Sequence, residues 1–461
     1  MSREGEKVVA DHQRVADLIK ARGIEMVKLG GPDMDGVLRG KRMPAAAFLE
    51  GLENGFAQCD VIFGWDIAED LVPGLEFTGW HSGYPDMIMR PDLDTFRVVP
   101  WEPGVAVVIV DYLTEHGDPV TITPRHVLQR VLGRLAARGW RAEMALELEC
   151  HLYREDAASL RAKGFADLTP ISPHTSCYSI HRATGDDGPL ARMVRLMREH
   201  GITIEGYNRE HGPGMYEVNL PHAPALQAAD MALLFRNGFK EMAQQDGLAV
   251  TFMAKWSDAE DGTSGHVHQS LWDEAGHNLF HDPAAPHGLS ALLRQYTAGL
   301  LETLPEFLAL FAPNINSYKR FVPGTWAPTR AAWGVESRTC AVRAVPGSAS
   351  ATRVEHRVPG SDVNPYLAFA AALAGGLHGI EAGLEPGPPV HGNAYELSEE
   401  QAPALAPTLG QAIERFATSE RARDWFGDAF VEHYATMRRW EVDRYNRVVG
   451  SWERARYFEM I

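Results

Sequence analysis

The segment Arg141-Ala142-Glu143-Met144-Ala145-Leu146-Glu147-Leu148-Glu149-Cys150-His151-Leu152-Tyr153 sets the fold class. Met144, Leu146, Leu148 and Cys150 alternate with Glu143, Ala145, Glu147 and Glu149, and a period of two sends successive side chains to opposite faces of a strand. One face is apolar and the other acidic, as expected of a half-buried strand in an antiparallel sheet. Just upstream, Thr123-Pro124 offers an N-cap and a proline at the first helical position, so a helix is expected to run to about Arg138 and stop at Gly139.

Working outward, strand-like segments at 202–207, 215–220, 249–256, 266–272, 340–345 and 352–358 alternate with amphipathic helices at 225–245, 289–311 and 365–382. Towards the N-terminus, 11–22 has helical periodicity, 26–43 reads as two strands around an Asp35-Gly36 turn, and 105–113 is a continuous apolar run of buried-strand type. The expectation is an α+β protein: a small N-terminal domain over residues 1–115, then a large antiparallel-sheet domain with surrounding helices over 116–461. Neither GxGxxG nor GxxxxGK[ST] occurs, so neither a dinucleotide fold nor a P-loop is indicated.

Composition narrows the function. A net charge of −17 argues against nucleic acid as the main partner, because phosphate backbones need a basic surface. The four cysteines (Cys59, Cys150, Cys177, Cys340) form no CxxC pair, which fits a reducing compartment. With no signal-peptide core and no apolar run of spanning length, the expected location is the cytoplasm and no membrane partner is expected.

Four clusters place ionisable groups at strand spacing. Glu147 and Glu149 lie side by side, His266-Val267-His268 repeats the spacing with imidazoles, and Arg353, Glu355 and Arg357 share a face. Glu210 and Glu217 flank a glycine/proline turn that brings both towards one point. Each has a plainer reading: a solvated acidic face, a core histidine, or a ladder of ion pairs. Their joint occurrence favours hard divalent cations, with Arg338 and Arg343 suited to phosphate.

In that order and spacing, ALELEC (145–150), NREHGPGMYEVN (208–219), GTSGHVHQSLW (262–272), NINSYKRFVPG (314–324), SRTCAVR (337–343) and TRVEHRVPGSDVNPYLAFAA (352–371) resemble the glutamine synthetase family over nearly the whole chain. The resemblance implies a β-grasp N-terminal domain, a catalytic domain binding ATP, metal and glutamate, and subunit rings with active sites between neighbours, in a dodecamer of two hexamers. It implies two or more Mg²⁺ or Mn²⁺ ions per site, with ATP as co-substrate. One ion maps onto Glu149, Glu210 and Glu217, and the other onto Glu147, His266 and Glu355. Arg320, Arg357 and Gly262 match glutamate-binding positions. Glu205, His268, Ser270, Arg343 and Arg353 match positions around ATP, and Arg338, with Arg320, matches the arginines at the reacting groups.

Two departures concern the acceptor. Ammonia-using members carry a glutamate in an RLVPGYEAP-like segment where this chain has Trp326. Their DGSS-type loop is replaced by Gln58–Trp65, where Asp60 is the one acid. An indole offers a hydrophobic wall and a cation–π face rather than a fixed negative charge. The expected acceptor is therefore an organic primary amine, as in the γ-glutamylpolyamine and γ-glutamylethanolamide synthetase branches. The alternatives are an ammonia-using glutamine synthetase and an inactive structural or regulatory relative. Ser350 stands where some members carry a lysine near the nucleotide. Tyr395 matches a tyrosine that some bacterial members adenylylate, and no modification is expected there.

Overall fold

The computed structural model describes residues 3–461. Its first sheet is mixed and built from β1 (Met26–Pro32), β2 (Leu38–Pro44), β3 (Phe56–Cys59), β4 (Asp86–Pro91), β5 (Arg97–Val98) and β6 (Val105–Leu113). The order is β2-β1-β6-β4-β3, with β5 also on β6, and the β1–β6 pair is parallel. The apolar run 105–110 is buried throughout, as a central strand covered on both faces must be.

The second sheet has nine strands: β7 (Trp140–Tyr153), β8 (Gly206–Arg209), β9 (Met215–Asn219), β10 (Ala223–Pro224), β11 (Ala249–Thr251), β12 (Gly265–Asp273), β13 (Trp333–Val335), β14 (Val342–Val345) and β15 (Arg353–His356). The order is β13-β14-β15-β12-β7-β9-β8, antiparallel except for β13–β14, with β10 and β11 also paired to β7. Met144, Leu146, Leu148, Cys150 and Leu152 form the buried face of β7. Helices Pro124–Ala136 and Ala225–Gln245 pack against that strand.

Helix Ala291–Phe311 crosses helix Pro365–Glu381 closely, because Gly299 meets Gly379 where a Cβ would overlap the opposing backbone. Asn364 starts the second of these helices. Its side chain accepts from Tyr366 N–H (3.1 Å) and donates to the Asp33 carbonyl (3.0 Å), tying the β1–β2 turn to the helix. Lys28 sits between Glu102 (2.7 Å) and Glu241 (2.8 Å), and Arg438 pairs with Asp35 (2.5 Å), so the first sheet is also bound to the later helices by buried charge.

Three local expectations change. Thr123 precedes the helix but does not cap it; its hydroxyl donates to the Val120 carbonyl (2.9 Å). The strand expected at 249–256 stops at Thr251, opposite His151, because β12 takes the same edge of β7 from Leu148 onward. The strand expected from 202 begins at Gly206, since its partner β9 ends at Asn219, before Leu220-Pro221.

Candidate active site

Strand register assembles the site. Across β7 and β9, Glu149 faces Glu217, and across β7 and β12, Glu147 faces His266. Glu355 on β15 faces His268 on β12 and Arg343 on β14. Glu210 follows β8, and its N–H donates to the Met215 carbonyl (3.0 Å), so the His211–Gly214 turn returns it beside Glu217.

Two groups result. Glu149, Glu210 and Glu217 each offer an oxygen, all within 4.8 Å of one another. Neutral groups donate to each: the Ser264 N–H to Glu149, Asn208 to Glu210 (2.8 Å) and Asn219 to Glu217 (3.2 Å). Burial pushes Glu149 up to about 7, and the charge of Glu210 adds to the rise. Glu210 and Glu217 are raised for the same first reason, with repulsion from neighbouring carboxylates in support. Three clustered carboxylates, Glu149 buried and Glu210 and Glu217 half-buried, offer oxygen donors that fit a hard divalent cation, with Arg320 offsetting part of the charge of Glu149.

In the second group Glu147, His268 and Glu355 offer atoms within 4.8 Å of one another. His266 faces the same carboxylates, its Nδ1 lying 3.3 Å from Glu147 and 3.4 Å from Glu355. Both imidazoles are thus in reach: the compact cluster takes His268, while the family pattern takes His266. Burial opposes ionisation of Glu147, yet His266 and His268 hold it well below the usual carboxylate range. Glu355 is likewise buried but drawn down to about 2, chiefly by Arg357 and then the histidines. Burial, with Arg357 nearby, lowers His266 to about 4, leaving it a neutral nitrogen donor.

Arg320 is buried at 3 % exposure and donates only to carbonyls, those of Val358 (2.9 Å) and Arg357 (3.3 Å). A buried guanidinium so placed suits an anionic ligand. Gly262 packs against it: an added Cβ would lie 2.5 Å from the Ala254 carbonyl oxygen and 2.7 Å from Arg320 Cγ. Arg357 donates to the Arg338 carbonyl (3.1 Å) and to Glu355, while the Arg338 side chain is exposed.

Beside Glu147 a cavity of about 480 Å³ opens, lined by Glu205, His268, Ser270 and Arg353, with Ser350 also on its wall. Arg353 Nε donates to His268 Nδ1 (3.1 Å). Arg343 stands off this wall, held by Glu336 and by Glu355 (2.9 Å). Asp60 is buried elsewhere and accepts from Thr78 (2.8 Å). Trp326 is 60 % exposed with φ 61°, an unusual conformation for a bulky residue. The Tyr395 hydroxyl donates to the adjacent Ala327 carbonyl (3.0 Å).

The sequence reading missed Asn208 and Asn219, each two residues from a carboxylate it binds; Asn219 and Glu217 share a face of β9, a spacing that could have pointed to the pair. Cys177, whose Sγ lies 3.5 Å from Glu210 Oε2, left no pattern in the sequence.

The family model described as glutamine synthetase, catalytic domain, matches residues 121–457. The chain belongs to the glutamine synthetase family. It is 42 % identical over 462 residues to a glutamate–isopropylamine ligase from a Pseudomonas species, covering 100 % of both chains. To the γ-glutamylethanolamide synthetase of Streptomyces coelicolor it is 41 % identical over 444 residues, 96 % of this chain and 94 % of that one. Among solved structures, an ADP complex of GmaS superposes with a TM-score of 0.84 at 28 % identity, covering 96 % of this chain and 99 % of that one.

Proposed function

We propose that this chain is an ATP-dependent ligase that joins the γ-carboxyl of glutamate to an organic primary amine of polyamine or ethanolamine type through γ-glutamyl phosphate. The observation that carries the reading is the clustered Glu149/Glu210/Glu217 trio, with Glu147, two residues from Glu149 on the same strand, lining a cavity of about 480 Å³. The names of the amine-ligating relatives support the acceptor class.

Glu149, Glu210 and Glu217 would hold one divalent cation, and Glu147, Glu355 and His266 a second, with His268 able to share that role. Bound Mg²⁺ or Mn²⁺ supplies positive charge against carboxylate and phosphate oxygens. Arg320, Arg357 and the close-packed Gly262 orient glutamate, while Glu205, His268, Ser270 and Arg353 position ATP from the cavity wall and Arg343, off that wall, holds Glu355 (2.9 Å). A γ-carboxylate oxygen attacks the terminal phosphorus and ADP departs, with Arg338 and Arg320 countering negative charge on the moving phosphoryl group. The amine nitrogen then attacks the acyl carbon, phosphate leaves and a proton is released. Positioning and fixed charge carry most of the acceleration.

Trp326, in place of a carboxylate, gives the acceptor an apolar wall rather than a fixed charge for ammonium. Asp60 is buried within its own chain and held by Thr78 (2.8 Å), which leaves Trp326 as the residue that carries the amine-selection reading. The division at residue 115 follows the gap between the two sheets. Among the described residues no helix is long and apolar enough to cross a membrane, and a cytoplasmic site of action is part of this proposal.

Phosphate release that requires glutamate, ATP, Mg²⁺ and an organic amine together would bear this out. Release without glutamate would refute ligation, and absence of release under every condition would favour the inactive-relative reading.

A further inference from the structure

We propose that Asp261 is the carboxylate that receives the acceptor amine and takes its first proton. The proposal rests on the ligase reading above and names a catalytic residue within it.

The chemistry creates the need. An alkylamine, like a lysine side chain, is protonated near neutral pH, and its nitrogen has no lone pair to attack with until a proton leaves. A carboxylate at the point of attack meets both demands, since it attracts the cation and accepts the proton. It has to lie between the groups that hold glutamate and those that hold the first cation.

Asp261 meets this condition by chain position and by bonding. It immediately precedes Gly262, which packs against the Arg320 stem. Its Oδ2 lies 2.8 Å from Nδ1 of His211, the residue that follows Glu210. One contact thus joins the glutamate loop to the turn that carries a cation ligand, with the Asp261 carboxylate at the junction. The loop is pinned at both ends: the Lys255 N–H donates to Asn316 Oδ1 (2.9 Å), and the Thr263 N–H donates to the Ala254 carbonyl (2.9 Å). The side chains of Asp261 and His211 are 24 % and 67 % exposed, so an incoming amine can reach the carboxylate from solvent.

Neighbouring acids are committed elsewhere. Glu149, Glu210 and Glu217 form the donor cluster. Glu260 accepts from Trp256 Nε1 (3.0 Å), and that indole packs edge-on against Tyr153 with ring centroids 5.0 Å apart. Asp362 is held by Ser317 (2.6 Å) and Asn314 (3.0 Å). Outside the donor cluster, Asp261 is the acid that combines solvent access with a place beside both loops.

The ammonium passes one proton to Asp261. Its nitrogen lone pair then forms the C–N bond as the bond from the acyl carbon to the phosphate oxygen breaks. The second proton leaves with phosphate, and Asp261 returns the first to solvent. His211 is a positioning residue that holds the carboxylate in place. The competing account makes the Asp261–His211 contact only a latch between two loops.

Hydroxylamine separates the two accounts, because it is uncharged near neutral pH and attacks without first losing a proton. The full-length protein is assayed with glutamate, ATP and Mg²⁺, and with either hydroxylamine or a panel of ethanolamine, isopropylamine and putrescine. Asp261→Asn should lower kcat/KM for the amines by roughly 10²–10⁴-fold, while γ-glutamyl hydroxamate formation changes far less. Asp261→Glu, which keeps the carboxylate, should recover part of the amine activity. Loss of both activities in parallel in Asp261→Asn, or undiminished use of the amines, overturns the proposal. Hydroxamate from the wild type with none of the three amides overturns it too. No hydroxamate from the wild type would instead refute the ligase reading, so the two failures are separable.

Discussion

Glu149 and Glu217 stand directly opposite each other on neighbouring antiparallel strands. Like charges in that relation repel. With burial, the repulsion leaves the pair two ways to lose charge, by protonation or by a bound cation.

That choice gives a pH dependence. The Glu149 pKa of about 7 exceeds its ordinary 4.5, so the folded metal-free protein keeps a proton that the unfolded chain has released. Stability from this source is full below about 4.5 and is lost as pH rises through about 7, on the order of 3 kcal/mol. Buried His151, His200, His356 and His433 pull the other way, but equally in both metal states. The gap in thermal midpoint between Mg²⁺-saturated and chelator-treated protein should therefore widen from about pH 5 to about pH 8. A constant or narrowing gap would contradict the account.

Glu210→Ala removes one of three clustered carboxylates. Turnover should fall by roughly 10²–10³-fold or more, with folding retained. Phosphate release at saturating glutamate and ATP measures it, and near-normal activity would count against the ligand assignment.

Gly262→Ala should act on glutamate rather than on ATP. The new methyl meets the Ala254 carbonyl and the Arg320 stem, so Arg320 must shift. Steady-state kinetics should show KM for glutamate raised about tenfold or more, with KM for ATP little changed.

At Trp326 the test is selectivity. Trp326→Ala should lower kcat/KM for a branched or long primary amine by roughly 10–200-fold, the range for losing apolar pocket contacts. Ammonium use should change much less. An equal loss for both would make Trp326 a structural lid residue.

Much of this was legible in the strand periods. The alternation at 141–153 located the longest site strand, and the pairs Glu147/Glu149 and His266/His268 were visible because i and i+2 share a face. Register across strands was not legible: nothing in the sequence reports that β12 displaces β11 from β7, or that His211 meets Asp261. Pairings between distant segments depend on tertiary packing. Thr123 failed as a cap for a similar reason, since a nearby carbonyl captured its hydroxyl.

The Arg438–Asp35 bridge makes a stability prediction away from the site. Both side chains are buried, at 3 % and 7 % exposure, and Asp35→Ala would leave Arg438 with Glu441 (3.0 Å) and the Pro313 carbonyl (3.3 Å) as its remaining partners. A loss of about 1.5–3 kcal/mol is expected in chemical denaturation, the range for a hydrogen bond to a charged group. A loss below about 1 kcal/mol would mean that solvent reaches the pair.

The most direct test of the central claim is a competition. Glutamate, ATP and Mg²⁺ are supplied with equimolar ammonium and a set of organic primary amines, and the products are identified by mass spectrometry. The account predicts γ-glutamyl amides of one or more organic amines as the dominant products, with stoichiometric ADP and phosphate. Glutamine as the main product would contradict it.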